Sequence, residues 1–284
     1  MPTLVPMDEK RRIATQPAKP NWIWGPLGVF RIEVYRTLTV GRIMTWLFMC
    51  LFPPTLIGIA TWQIGSRGVG LSSEETYFGL VFLLFVLISQ VMTVLGMVLW
   101  ATPIVYSELE AQTWVYAVVR PGARRAVLVG KYFVAVLWTI SSSTIALTLS
   151  VPISGIANPV ATWGALVCVT VLGSCAYAAL FATIGTVIQK RAMVIAFIYA
   201  FVVEAILSTL PAAINQFTVS YRLRAILFQL LDLKVASARE MSHLFDTTTS
   251  ISMHVVYLGI FTACLSCLAV WRVQATQFIW QSEV

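Results

Sequence analysis

Gly130 and Lys131 close the stretch SELEAQTWVYAVVRPGARRAVLVGK, and a Gly-Lys pair is how a phosphate-binding loop ends. Such a loop requires Gly, four residues, then Gly-Lys followed by Ser or Thr, because the glycine backbone wraps the phosphates and the hydroxyl binds magnesium. Gly122 stands too far before Gly130, and Tyr132 follows Lys131, so the pair builds no ATP site of its own. Neither H-E-x-x-H nor G-x-S-x-G occurs, and His243 and His254 lack metal-ligand spacing. Metal-dependent or serine hydrolysis therefore has no residues to carry it, and no catalytic or metal site is expected.

Two further groups invite a chemical reading. Cys264 and Cys267 form C-x-x-C, a metal or redox spacing in a soluble protein. They sit in an apolar run with no His or carboxylate beside them, which fits small-residue helix packing instead. Glu204 also lies in an apolar run. A carboxylate there either bonds neighbouring helices or lines a polar path. The same alternatives hold for the hydroxyl series Ser141, Ser142, Ser143, Thr144 and Thr148, where Ser142 and Thr144 are the pathway candidates and bonding back to helix carbonyls is the structural alternative.

These residues must be positioned by helices in a membrane. The 284-residue chain is 58% hydrophobic and only 11% charged, far from the roughly 25% charge of soluble domains. Six apolar runs approach the ~20 residues a helix needs to span a bilayer: Ile43 to Gln63, Phe78 to Val105, Tyr132 to Ile153, Trp163 to Ile188, Ala192 to Ala213 and Met253 to Trp271. None alternates with period two, so a helical bundle is expected and not a membrane barrel. Pro53 and Pro54 remove backbone donors from the first run and predict a kink there.

Orientation follows from charge. Lys10, Arg11, Arg12, Lys19, Arg31, Arg36 and Arg42 precede the first run, with no signal-peptide core among them. An inside N-terminus places fourteen Lys and Arg on the cytoplasmic side and five outside, namely Arg67, Arg222, Arg224, Lys234 and Arg239. That partition obeys the positive-inside rule and puts both termini in the cytoplasm. The net charge of +7 speaks for anionic lipid as partner and not nucleic acid.

Residues 1–27 read as a disordered cytoplasmic tail, and 28–284 as a single transmembrane domain. Phe30, Val34 and Leu38 share one stripe ahead of the first run, which predicts a helix lying on the inner membrane surface. In the long outer connection, 214–252, the residues Leu223, Ile226, Leu227, Leu230 and Leu231 recur at helical spacing. They predict an amphipathic helix in the outer interface, with Arg222, Gln229 and Asp232 on its polar side.

The segment 106–131 between the second and third runs carries a specific pattern. Ser107, Glu108, Glu110 and Thr113, then Pro121 and Arg124, then Gly130 and Lys131, resemble the S-E-x-E-x-G-T, P-x-x-R and G-K elements of ABC-2 type permeases. Gln112 stands where that family usually has glycine, and a weaker similarity to one permease subgroup lies in Glu204, Pro211, Ser220 and Tyr221. The resemblance implies an all-α, six-span transmembrane subunit of an ATP-binding cassette transporter in a bacterial inner membrane, more often an exporter than an importer. It implies separate ATPase subunits holding ATP and magnesium, no cofactor in this chain, and a second permease copy or related chain. It also implies that 106–131 is the coupling segment, an elbow reversed at Pro121 that offers outward carboxylates Glu108 and Glu110 to the ATPase. A solvated hairpin is the alternative for that elbow. A secondary transporter, a channel or a membrane scaffold are the alternatives for the chain.

Overall fold

The computed structural model describes residues 24–66, 74–110, 114, 122–188, 191–209, 213–232 and 249–276, and among these every regular element is helical. Helix α1 (Trp24–Thr37) meets α2 (Val40–Ser66) at a two-residue elbow. α3 (Glu74–Leu84) continues through a π-helical stretch, Phe85–Met92, into α4 (Thr93–Trp100), then a 3-10 turn at Thr102–Ile104 and the short α5 (Tyr106–Glu110). α6 (Ala123–Ile153) and α7 (Pro159–Val187) follow as long antiparallel neighbours. α8 (Ala192–Tyr199), α9 (Val219–Leu230) and α10 (Ile251–Ala275) complete the chain.

Among the described residues, five helical stretches are long and apolar enough to cross a membrane: Val40–Ser66, Glu75–Ile104, Ala123–Ile153, Pro159–Val187 and Ile251–Ala275. The protein is thus an all-helical chain with the helices of an integral membrane protein. α2 runs through Pro53 and Pro54 without interruption. The fifth apolar run differs from the expectation of a full span. Its helix covers only Ala192–Ile206, or about 22 Å at 1.5 Å per residue. It passes from α-helix to a π turn at Ala200–Ile206 and then to 3-10 geometry at Leu207–Thr209.

α7 is the centre of the bundle. Ala176, Ala178, Ala179 and Ala182 are buried along it beside Tyr177 and Phe181, and small side chains let neighbouring backbones approach closely. Gly185 is the extreme case: a Cβ there would lie 2.1 Å from Thr102 O, so the end of the α4 path rests directly on α7. α2 and α10 are peripheral, with Met44, Phe48, Leu51, Ile59 and Trp62 of α2 and Met253, Ile260 and Trp271 of α10 exposed. An exposed apolar helix is what hydrocarbon solvates well.

Candidate functional site

The Gly130-Lys131 pair lies where α6 meets α1. A Cβ at Gly130 would stand 2.8 Å from Val29 Cγ1 and 3.1 Å from Phe30 N, so glycine admits α1 against α6. One residue on, Lys131 is 5% exposed. Its Nζ lies 2.7 Å from Glu108 Oε1 and 3.5 Å from Glu33 Oε1. It also donates to Ser107 Oγ at 2.8 Å and to Ile104 O at 3.4 Å. Arg36 Nη1 reaches Glu108 Oε1 at 3.1 Å and Glu33 Oε2 at 3.9 Å. Two cations and two carboxylates thus form one cluster that joins α1, α5 and α6. A buried ammonium loses its hydration, and only several well-placed acceptors offset that loss. Here it has four.

This geometry corrects one expectation. Glu108 does not face outward to a partner: it is 7% exposed and committed to Lys131 and Arg36. Glu110 is exposed, as expected. Away from the Phe30, Val34 and Leu38 stripe lies the buried side of α1. Glu33 and Thr37 are its buried residues, with Trp138 Nε1 donating to Thr37 Oγ1 at 3.0 Å, while Leu38 is exposed.

Ser107 is held in the cluster by Lys131. Arg124 donates through Nη1 to Gln274 O at 3.4 Å, and Arg125 through Nη2 to Gln274 Oε1 at 2.8 Å. The start of α6 therefore meets the end of α10, where Arg124 covers one of the last backbone carbonyls and Arg125 holds the Gln274 side chain. Thr113 and Pro121 lie outside the described residues, as do nearly all of the 1–27 tail and much of the 214–252 connection.

Glu204 forms a second polar centre, and it is 2% exposed in the π turn. Glu204 Oε2 accepts from Tyr177 Oη at 2.8 Å, Ser220 Oγ at 2.5 Å and Ser220 N at 3.0 Å, and Oε1 accepts from Val219 N at 3.4 Å. Val219 and Ser220 are the first two residues of α9, and Thr218 Oγ1 accepts from the third amide, Tyr221 N. A helix start carries unpaired amides and a partial positive charge, so a buried carboxylate there is well matched. Gln90 Nε2 donates to Ser220 Oγ at 2.6 Å and to Glu204 O at 3.1 Å. Arg224 is buried in the same centre, donating to Ser208 O, and interacts electrostatically with Glu204.

α9 accordingly departs from the expected interfacial helix. Leu223, Ile226 and Leu227 are buried, but so are Ser220, Tyr221, Arg224 and Phe228 around the rest of it, and only Leu230 is strongly exposed. Leu223 packs against the bare backbone of Gly173 in α7. Arg222 sits 4.4 Å above the Tyr257 ring of α10 and 3.2 Å from His254 Nδ1. α9 is folded back into the bundle and held on several sides.

The remaining pathway candidates do not join Glu204. Ser142 Oγ bonds back to Thr139 O at 3.0 Å and faces α2, where Cys50 Sγ approaches Ser142 O. Thr144 O accepts from Thr148 Oγ1, a turn of the same helix. The structural alternative holds for Ser142. Among the described residues no group of three or more His, Cys, Asp or Glu side chains could hold a metal ion, and Cys264 and Cys267 are exposed free thiols on α10.

The residues that sequence reasoning missed are the distant partners. Glu33 was visible only as one charge on a basic helix. Gln90 and Tyr177 stood in apolar runs as isolated polar groups, and that isolation was the available signal. Compared with known proteins, the chain matches no family profile, and no curated protein matches it.

Proposed function

We propose that the chain is the permease subunit of an ABC transporter of the ABC-2 type, moving its substrate outward by alternating access driven by ATP hydrolysis in a separate subunit. The observation that carries this is the cluster of Glu33, Arg36, Glu108 and Lys131. It locks a surface helix, the end of one span and the start of the next into a single rigid unit. That unit holds both ends of the segment whose residues resemble a coupling elbow. A push on 106–131 from a docked ATPase would then move α1, α5 and α6 together. Glu110, the exposed carboxylate of the segment, is the residue offered to the ATPase. Two copies of the chain, or this chain and a relative, enclose the pathway, and the short Ala192–Ile206 helix with α9 serves as a sixth, broken crossing that returns partway from the outer face. The termini are cytoplasmic and the membrane is a bacterial inner membrane. The ATPase holds the nucleotide and magnesium.

A secondary transporter is the second reading, favoured by the broken α8 to α9 hairpin around a buried carboxylate. Against it, both Glu204 oxygens are occupied by the α9 amides, Tyr177 and Ser220, which suits a structural cap better than an exchangeable ion site. Proteoliposomes separate the two. ATP-dependent flux that requires an added ATPase subunit supports the permease. Flux driven by a proton or sodium gradient through the purified chain alone overturns it.

A further inference from the structure

Behind the charge cluster lies a small cavity that opens to the surface, lined by Glu33, Thr37, Arg42, Trp100, Ser107 and Lys131 among others. Three cations, Arg36, Arg42 and Lys131, stand around two carboxylates, Glu33 and Glu108. The ion pairs engage Arg36 and Lys131, and among the described residues Arg42 has no carboxylate at pairing distance. One positive charge is left, on a half-buried side chain that lines the cavity. We propose that this cavity binds the phosphodiester of an anionic phospholipid headgroup, with Arg42 as its principal ligand.

Size and surroundings choose the ligand. The enclosed space is about 30 Å³, room for only one or two water-sized groups. The free oxygens of a phosphate can enter it, whereas a whole solute cannot. Outside the cavity the elbow between α1 and α2 is apolar, with Tyr35 66%, Leu38 51%, Val40 74% and Met44 59% exposed. Acyl chains match that surface, and a water-soluble anion gains nothing from it. Arg42 stands two residues into α2, near the depth at which an arginine on a membrane helix meets the headgroups. A lipid seated here would touch α1, α2 and α6 together and add to the lock that the ion pairs make. This inference does not depend on the permease reading.

The test uses the full chain in neutral detergent, titrated with phosphatidylglycerol or phosphatidylcholine and followed by native mass spectrometry. The wild type retains phosphatidylglycerol in preference to phosphatidylcholine. Arg42→Gln weakens phosphatidylglycerol binding on the order of tenfold, as expected for one charged hydrogen-bonding partner, Arg42→Lys restores most of it, and Arg31→Gln, an exposed cation on α1, leaves it unchanged. Glycerol phosphate at millimolar concentration does not displace the lipid. Equal retention of the two lipids by the wild type overturns the proposal, as does full affinity in Arg42→Gln. Displacement by glycerol phosphate would make this a site for soluble phosphate and overturn the lipid assignment. Should Arg42→Gln fail to fold, the wild-type lipid preference and the Arg42→Lys value decide the matter.

Discussion

Replacing Lys131 by Met keeps the length of the side chain and removes only its charge, so it isolates the ion cluster. Lys131, Glu33 and Glu108 have side chains 6%, 11% and 10% exposed. Stranding a buried partner in such a cluster costs about 3–5 kcal/mol. Arg36 remains 3.1 Å from Glu108 and offsets part of this, but it is 46% exposed, and a pair with so exposed a member contributes about 0–1 kcal/mol. A net loss of about 2–5 kcal/mol is expected. Unfolding in mixed detergent micelles, followed by tryptophan fluorescence, measures it. Glu108→Gln and the double variant complete a cycle. Once Lys131 is gone, neutralising Glu108 removes a stranded charge, so the double variant should be more stable than the sum of the single losses predicts, by at least about 1 kcal/mol. A Lys131→Met loss below about 0.5 kcal/mol, or strict additivity, would refute the claim that the cluster holds α1, α5 and α6 together.

Other outcomes follow from single contacts. Gly185→Ala places a methyl 2.1 Å from the Thr102 carbonyl, so the two backbones must separate, and folded yield should fall sharply by size-exclusion chromatography while Gly164→Ala, with open space around it, behaves as wild type. Glu204→Leu leaves the Ser220 amide, the Tyr177 hydroxyl and the Ser220 hydroxyl without their acceptor, at about 1–3 kcal/mol for each group left unsatisfied. Glu204→Gln keeps one acceptor oxygen and should be clearly milder in thermal stability; equal stability of the two variants contradicts the capping role. Impermeant thiol reagents applied to intact cells should label a cysteine placed at Ser237 and not one placed at Ala123, and the reverse pattern inverts the topology.

Much of this fold was legible in hydropathy. Apolar runs such as Ile43 to Gln63 and Tyr132 to Ile153 reappear inside Val40–Ser66 and Ala123–Ile153, because run length in an apolar sequence reports directly on spanning helices. The fifth run does carry an apolar helix, but hydropathy counts side chains and is blind to its backbone geometry. A π turn and a 3-10 end shorten that helix around Glu204. The amphipathic pattern of α9 was real, but periodicity names one apolar face and says nothing of what covers the polar one; His254 and Tyr257 meet Arg222 there, and the Thr249 carbonyl accepts from Gln229. The ion cluster was half visible. Ser107, Glu108 and Lys131 stood out in one segment, whereas Glu33 and Arg36 come from α1, and no local spacing links residues that meet only when two helices pack.

The central claim is that the segment around Glu110 docks an ATPase. A photo-crosslinking residue placed at position 110, with a second at buried position 108 as control, tests it in native membranes. The account predicts an adduct between position 110 and an ATPase subunit, none from position 108, and loss of the ATPase from the purified complex in Glu110→Lys. Adducts from position 110 with lipid alone, together with wild-type protein recovered free of any ATPase, would contradict it.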